Sequence, residues 1–370
     1  MSVWIRNKCW LASACLFLTV MLSSCAFPGL TTTMATLPQV SHTDSQPALP
    51  AIRFPQDEGA HHDLTEWWYY TGHMQATDAR GKQHSYGFEL VFFQVSRSDL
   101  PLVYPAQFAI SDLTRGEFHY DQRLVTNYAG KIPDGQSTQG INEHVADWSI
   151  QGLNGQDHLL ASMQDYALNL TLNGLKAPTL HNGNGLITYG LGGDSYYYSR
   201  TRMALGGTLV DHNQSLKVTG TAWMDHQWGN FLALGGNSWD WYSLQLNNNT
   251  EIMLYFIRNT SGKIISAYAG YIGADNKNIV LPASALRTTV LVKWTSPATS
   301  ITYPSGWKLD INDSHLKATF TIKPLLKNQE LNTRASTGNI YWEGDVSIAG
   351  SDNGQTLAGQ GYVELTGYTR

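Results

Sequence analysis

Beyond residue 51, apolar and polar positions alternate in short runs that Gly, Asn and Asp interrupt. The segments Ser85–Val95, Glu251–Ile257, Lys263–Ile272 and Tyr362–Thr366 show the pattern and are rich in Val, Ile, Tyr, Phe and Trp. A period of two with that composition predicts strands that each bury one face or both. Asn154-Gly155, Asn173-Gly174, Asn182-Gly183, Asn184-Gly185 and Asn353-Gly354 supply turns between them. No apolar stripe with helical spacing is sustained. A short helix is expected at most near Pro282–Arg287, where Pro suits a first turn.

The strand pattern repeats. Trp67-Trp68-Tyr69 followed by Phe88-Glu89-Leu90-Val91-Phe92-Phe93 is echoed by Trp239-Asp240-Trp241-Tyr242 followed by Glu251-Ile252-Met253-Leu254-Tyr255-Phe256. Gly220-Thr221-Ala222-Trp223-Met224-Asp225 is echoed by Gly359-Gln360-Gly361-Tyr362-Val363-Glu364. Two echoes in the same order point to duplication, although two β domains of similar composition would also share some pairs by chance. Residues 51–234 and 235–370 are the expected domains, divided near Gly235-Gly236. A meander of antiparallel strands must hide its edges, and closure into a barrel does so. The expected fold is all-β: two tandem lipocalin-like antiparallel barrels or sandwiches with a cleft between them.

The first 50 residues read differently. Arg6 and Lys8 precede an uncharged apolar run from Cys9 to Leu22, too short for a comfortable membrane span and suited to a signal peptide. The run ends in Leu22-Ser23-Ser24-Cys25, which resembles a bacterial lipobox, and Ala26 in place of Asp favours the outer membrane over retention at the inner one. On this reading residues 1–24 are removed, Cys25 is lipidated, and residues 25–50, rich in Thr, Ser, Pro and Ala, form a flexible tether reaching about 80 Å. The expected location is an outer-membrane lipoprotein facing the periplasm. Of Cys9, Cys15 and Cys25 only the last survives, so neither a disulfide nor a thiol nucleophile is expected. Loss of Arg6 and Lys8 takes the formal charge from −5 to −7, the wrong sign for a nucleic-acid binder. Serine-hydrolase, P-loop and dinucleotide motifs are missing as well.

Four clusters could carry chemistry. Asp57-Glu58-Gly59-Ala60-His61-His62-Asp63 leads into Glu66-Trp67-Trp68-Tyr69-Tyr70. Its spacing is not that of a zinc motif, and the reading preferred is a structured lead-in with no metal; Glu66, among aromatics, must be paired or raised in pKa. In Trp223-Met224-Asp225-His226-Gln227-Trp228-Gly229, an acid and an imidazole are adjacent. On a regular strand they face opposite ways, and they share a cavity only where the strand ends or bulges. Trp239, Trp241, Ser243 and Gln245 alternate onto one face, which is either a binding wall or core. Tyr341-Trp342-Glu343-Gly344 and Glu364 complete the set, with a packed strand bearing an edge carboxylate as the competing reading.

At these residues the chain resembles the carotenoid 1,2-hydratase (hydroxyneurosporene synthase) superfamily, and more closely its bacterial secreted, lipocalin-like branch described as predicted secreted hydrolases. The motifs are Asp57-Glu58-Gly59-Ala60-His61, Glu66-Trp67-Trp68-Tyr69-Tyr70-Thr71-Gly72-His73, Gly87-Phe88-Glu89-Leu90, Asp225-His226-Gln227-Trp228, Trp239-Asp240-Trp241-Tyr242, and Tyr341-Trp342-Glu343-Gly344 with Gly361-Tyr362-Val363-Glu364-Leu365-Thr366-Gly367-Tyr368. The resemblance covers about residues 50–370. It implies two lipocalin-like domains, an inter-domain pocket lined by Asp225, His226 and Trp228, and genes placed beside ABC-transporter components; it does not imply one reaction. The second half matches the secreted branch better than the pigment enzymes.

The expectation is therefore a lipophilic ligand in an aromatic slot, hydrated or hydrolysed without a cofactor. Asp225 serves as acid and His226 as water-orienting base, and Glu66 is a further catalytic residue. The slot is expected to be lined by Trp68, Tyr70, Glu89, Trp223, Trp228, Trp239, Trp241, Gln245, Tyr341 and Glu343. A lipophile carrier serving an ABC exporter needs none of the acids and stands as the alternative.

Overall fold

The computed structural model describes residues 49–97, 100–126, 140–188, 193–231 and 238–369. The leader, Cys25 and all but the last two residues of the tether lie outside them.

Among the described residues the protein is built from twenty-four strands and a few single turns of 3₁₀ helix. The first sheet comprises β1 (Thr65–Thr77), β2 (Gln83–Arg97), β3 (Leu100–Asp112), β4 (Glu117–Thr126), β5 (Ile141–Val145), β6 (Trp148–Leu153), β7 (Gln156–Met163), β8 (Tyr166–Gly174), β9 (Thr179–Leu180), β10 (Leu186–Thr188), β11 (Asp194–Asp211) and β12 (Gln214–Gly229). The rest are β13 (Ser238–Leu246), β14 (Glu251–Arg258), β15 (Ile264–Ile272), β16 (Asn278–Leu281), β17 (Leu286–Val290), β18 (Lys293–Thr295), β19 (Thr302–Pro304), β20 (Trp307–Asn312), β21 (Lys317–Pro324), β22 (Glu330–Thr333), β23 (Asn339–Asp352) and β24 (Gln355–Leu365). All but β18 and β19, which pair with each other, belong to a second sheet. Near Pro282 the sequence forms one turn, Ala283–Ala285, before β17 takes over.

The first sheet runs β4-β3-β2-β1-β12-β11-β8-β7-β6-β5 with every pairing antiparallel, and its end strands β4 and β5 come together, so it is a nearly closed barrel. The second runs β16-β15-β14-β13-β24-β23-β21-β20-β17. The sequence echo becomes a shared register. In the first sheet β1 lies between β2 and β12, with Tyr69 opposite Val91 and Asp225. In the second, β13 lies between β14 and β24, with Trp241 opposite Tyr255 and Glu364.

Alternation then sorts the side chains. Trp68, Tyr70, Phe88, Leu90, Met224 and Trp228 fill the first core, and Tyr242, Leu244, Leu254, Phe256, Val363 and Leu365 fill the second. The intervening positions point out of each sheet and meet. Tyr69, Val91, Tyr197, Trp223, Trp241, Met253, Tyr268 and Tyr362, with Trp67, Phe93, Trp239 and Tyr255, make a third apolar cluster in the seam. Polar bonds cross that seam. Gln245 donates to the carbonyls of Thr201 (2.8 Å) and Ala222 (3.0 Å), and buried Glu251 accepts from Lys176 (2.7 Å) and Arg202 (2.5 Å). At Gly87 a Cβ would stand 2.6 Å from Asp345 Oδ2, so only glycine lets the sheets approach this closely.

Candidate functional site

The seam opens into a cavity of about 450 Å³, within the range of small-molecule sites. Its walls are mainly rings: Trp67, Tyr69 and Phe93 from the first sheet, Trp239, Trp241 and Tyr255 from the second. Glu89 on β2, Asp225 on β12 and Glu364 on β24 also face it. No Lys, Arg or His is among the described residues that line it.

Glu89 and Asp225 are buried and Glu364 is half-buried, and no cation is among the described residues around the cavity. Burial pushes Glu364 up to about 7, with the nearby charge of Asp225 adding to the effect. Burial pushes Glu89 up to about 8, and Glu364 contributes. Glu343, behind the cavity wall, takes the Tyr69 hydroxyl at 2.6 Å; burial first, then Glu89 and Glu364, hold it well above the carboxylate range. Hydrogen bonding gives the same answer for Glu89. The Tyr341 oxygen lies 2.7 Å from Glu89 Oε1 and 2.6 Å from Gln107 Oε1. A phenol has one proton to give. Both contacts are satisfied when Tyr341 donates to Gln107 and a protonated Glu89 donates to Tyr341.

Asp225 differs. Burial raises it to about 6, but Ser199, Tyr197 and Trp223 all donate to it and offset part of that rise. Trp223 Nε1 reaches Oδ1 at 2.6 Å, and the hydroxyls of Ser199 and Tyr197 hold one oxygen each. Behind Ser199, at 2.6 Å, sits His181 Nε2, whose Nδ1 faces the Tyr268 hydroxyl at 3.2 Å. Burial drives His181 down to about 3, so it is a neutral imidazole. A lone His before an Asn-Gly turn carries no sequence signal of this role; only β9, β11 and the second sheet's Tyr268 bring it here.

Several expected positions lie elsewhere. Asp225 and His226 do not share a cavity, because β12 neither ends nor bulges between them: they pair in unbroken register with Tyr69 and Trp68 of β1 and with Ser199 and Tyr198 of β11. His226 therefore points into the first barrel, as do Glu66, Trp68, Tyr70 and Trp228. Tyr70 donates there to Asp157 at 3.0 Å. Gln245 is spent on the seam bonds described above, and Trp223 orients Asp225 from behind the wall. Of the expected set, the structure brings Glu89, Asp225, Trp239, Trp241 and Tyr341 to the cavity, with Glu343 adjoining it. Trp67, Tyr69, Tyr255 and Glu364 join them.

Inside the barrel mouth, Glu66 Oε1 lies 2.8 Å from both His61 Nδ1 and His226 Nε2. The lead-in segment, expected to carry no metal, thus joins with β12 to assemble two imidazoles and a carboxylate whose ligand atoms all lie within 4.8 Å of one another.

Three comparisons bear on this geometry. A family model described as AttH-like matches residues 46–368. No curated protein matches the chain at the sequence level. A Nitrosomonas europaea protein whose crystal structure is described as an AttH superposes with a TM-score of 0.76 at 29% identity, over 88% of this chain and 100% of that one. Kievitone hydratase from Nectria haematococca superposes with a TM-score of 0.68 at 19% identity, over 87% of this chain and 94% of that one, and so shares the fold.

Proposed function

The chain belongs to the AttH-like family, and from that premise we propose that it takes a neutral lipophilic molecule into the seam between its sheets and adds water to it, or cleaves it with water, using its own carboxyls as acid and base. The observation that carries this reading is the group of acids, raised in pKa, that faces an aromatic cavity with no cation among its described lining residues.

Different environments divide the labour. Glu89 and Glu364, the higher pair, hold protons near neutral pH and are the donors. Asp225, stabilised as a carboxylate by three donors, is the base; this replaces both the acid role expected for it and the base role expected for His226. In water addition to a carbon–carbon double bond, the donor's proton forms a C–H bond at one carbon. The oxygen of water bonds to the other carbon, and its spare proton goes to Asp225. The cluster regains its starting protonation when Asp225 passes that proton on, and the net change is one H₂O added. The indole faces of Trp67, Trp239 and Trp241 stabilise the intervening cation, by about 1–2 kcal/mol each in a dry site. Anionic ligands are disfavoured, since nothing on the walls would neutralise them.

The name of the Nectria protein, a hydratase, supports water addition over other acid–base chemistry. A lipid on Cys25 would keep the molecule at the outer membrane, and loss of labelled palmitate in Cys25→Ser checks that anchor. The test of function is incubation with lipophiles extracted from the native host. A product heavier by one water, or two fragments summing to that mass, is expected, with turnover lowered about 10²–10⁴-fold in Asp225→Asn and Glu364→Gln. Ligand recovered unchanged at one equivalent would make the protein a carrier, and full turnover by Asp225→Asn would remove the base.

A further inference from the structure

We propose that His61, Glu66 and His226 bind one divalent transition-metal cation of the zinc type, a site separate from the acid cavity, which staples the lead-in segment to the mouth of the first barrel. The three residues come from independent pieces of chain. His61 belongs to the loop before β1, Glu66 is the second residue of β1, and His226 lies on the neighbouring β12. In the β1–β12 register Glu66 is opposite Trp228, so Glu66 and His226 are diagonal neighbours on the core face. The loop folds back over them and closes the third side.

The donor set is one that zinc and its neighbours favour: two imidazole nitrogens and a carboxylate oxygen. Bonds of about 2.1 Å in a tetrahedron place ligand atoms about 3.4 Å apart. Here the separations from Glu66 Oε1 are 2.8 Å to each nitrogen, and no pair among the three exceeds 4.8 Å. Two N–H protons now point at that oxygen, and a cation displacing them would meet the same three atoms after shifts of a few tenths of an ångström to about an ångström.

The surroundings already fix the ligands. His61 stacks flat on Trp228, with centroids 4.2 Å apart and planes within 3°, and His226 stacks on Trp68 at 4.8 Å. Outer partners stand where metal-site imidazoles usually have them. Asp57 Oδ1 is 3.5 Å from the far nitrogen of His61, and the Tyr198 hydroxyl is 3.4 Å from that of His226. Glu66 Oε2 is held by the His61 amide at 2.8 Å, leaving Oε1 for the shared contact. His226 and Glu66 are fully buried, whereas His61 and Asp57 keep 11% and 23% of their side chains exposed, which gives an ion a way in. Other His–carboxylate contacts, such as His119–Glu117 and His315–Asp313, are two-ligand and exposed, and these cannot close a site.

The test uses the tag-free full-length chain, stripped with a chelator and loaded with Zn²⁺. About one equivalent should survive gel filtration and raise the melting temperature, and His61→Ala should weaken binding at least a hundredfold. The Cu²⁺-loaded wild-type chain, read by pulsed electron paramagnetic resonance, should show two coordinated imidazoles, a count that needs no variant to fold. Wild-type protein that retains no Zn²⁺, retention unchanged in His61→Ala, or a Cu²⁺ spectrum without two imidazoles would each overturn the proposal. None of these readouts depends on turnover in the acid cavity.

Discussion

Replacing Glu89 by Gln should make the protein more stable at alkaline pH, against the usual expectation for a buried acid. Glu89 is fully buried, faces no cation and sits at about 8, whereas an ordinary glutamate is near 4.5. Between those values the folded protein holds a proton that the unfolded chain releases. Stability therefore falls as pH rises across the window and levels off above it. The linkage amounts to roughly 4 kcal/mol between pH 5 and pH 9. Gln does not ionise, and its amide N–H can donate to the Tyr341 oxygen in place of the carboxyl proton. Glu89 Oε2 has no hydrogen-bond partner, so the amide carbonyl that takes its place loses none. Melting temperatures of both chains should be measured from pH 5 to pH 9. At pH 5 the variant should be equal or slightly less stable; by pH 9 it should lead on the order of 10 °C relative to that baseline. A wild-type minus variant difference that stays constant over the range would refute the argument that Glu89 is a neutral acid, and with it the assignment of Glu89 as a proton donor.

Two further outcomes follow from the same geometry. The kcat/KM profile should be a narrow bell: its acid limb lies near 6, where Asp225 must lose its proton, and its alkaline limb near 7–8, where Glu364 and Glu89 lose theirs. A profile flat to pH 9 contradicts the division of roles. Glu251→Gln leaves Lys176 and Arg202 in the seam without their shared anion, so it should destabilise by about 3–5 kcal/mol and weaken ligand binding with it; an unchanged melting temperature would show that this latch does not hold the sheets together.

Local pattern carried the strands, because a period of two survives in any window of six residues. It also carried the duplication, since the echoed hairpins and closing strands take equivalent places in both sheets. Alternation further implied that Asp225 and His226 part company, and the expectation that they act together failed on that geometry. Trp68, Tyr70 and Trp228 went to the core for the same reason: aromatic runs show one residue in two to each side, and nothing local says which side is the cavity. What the sequence could not show is pairing across the seam. Tyr69 meets Glu343 across 274 residues and Tyr341 meets Glu89 across 252, so the neutral acids exist only after the sheets dock. His61 is five residues from Glu66 but joins His226 only through the strand register.

The aromatic slot lies outside both cores, so its lining packs into neither of them. A change at Trp239 or Tyr255 alters the shape of the guest chamber while the two cores keep their packing. Two sturdy shells facing one another thus leave the wallpaper between them free to be replaced. For protein engineering, this seam is the place to graft new ligand preferences.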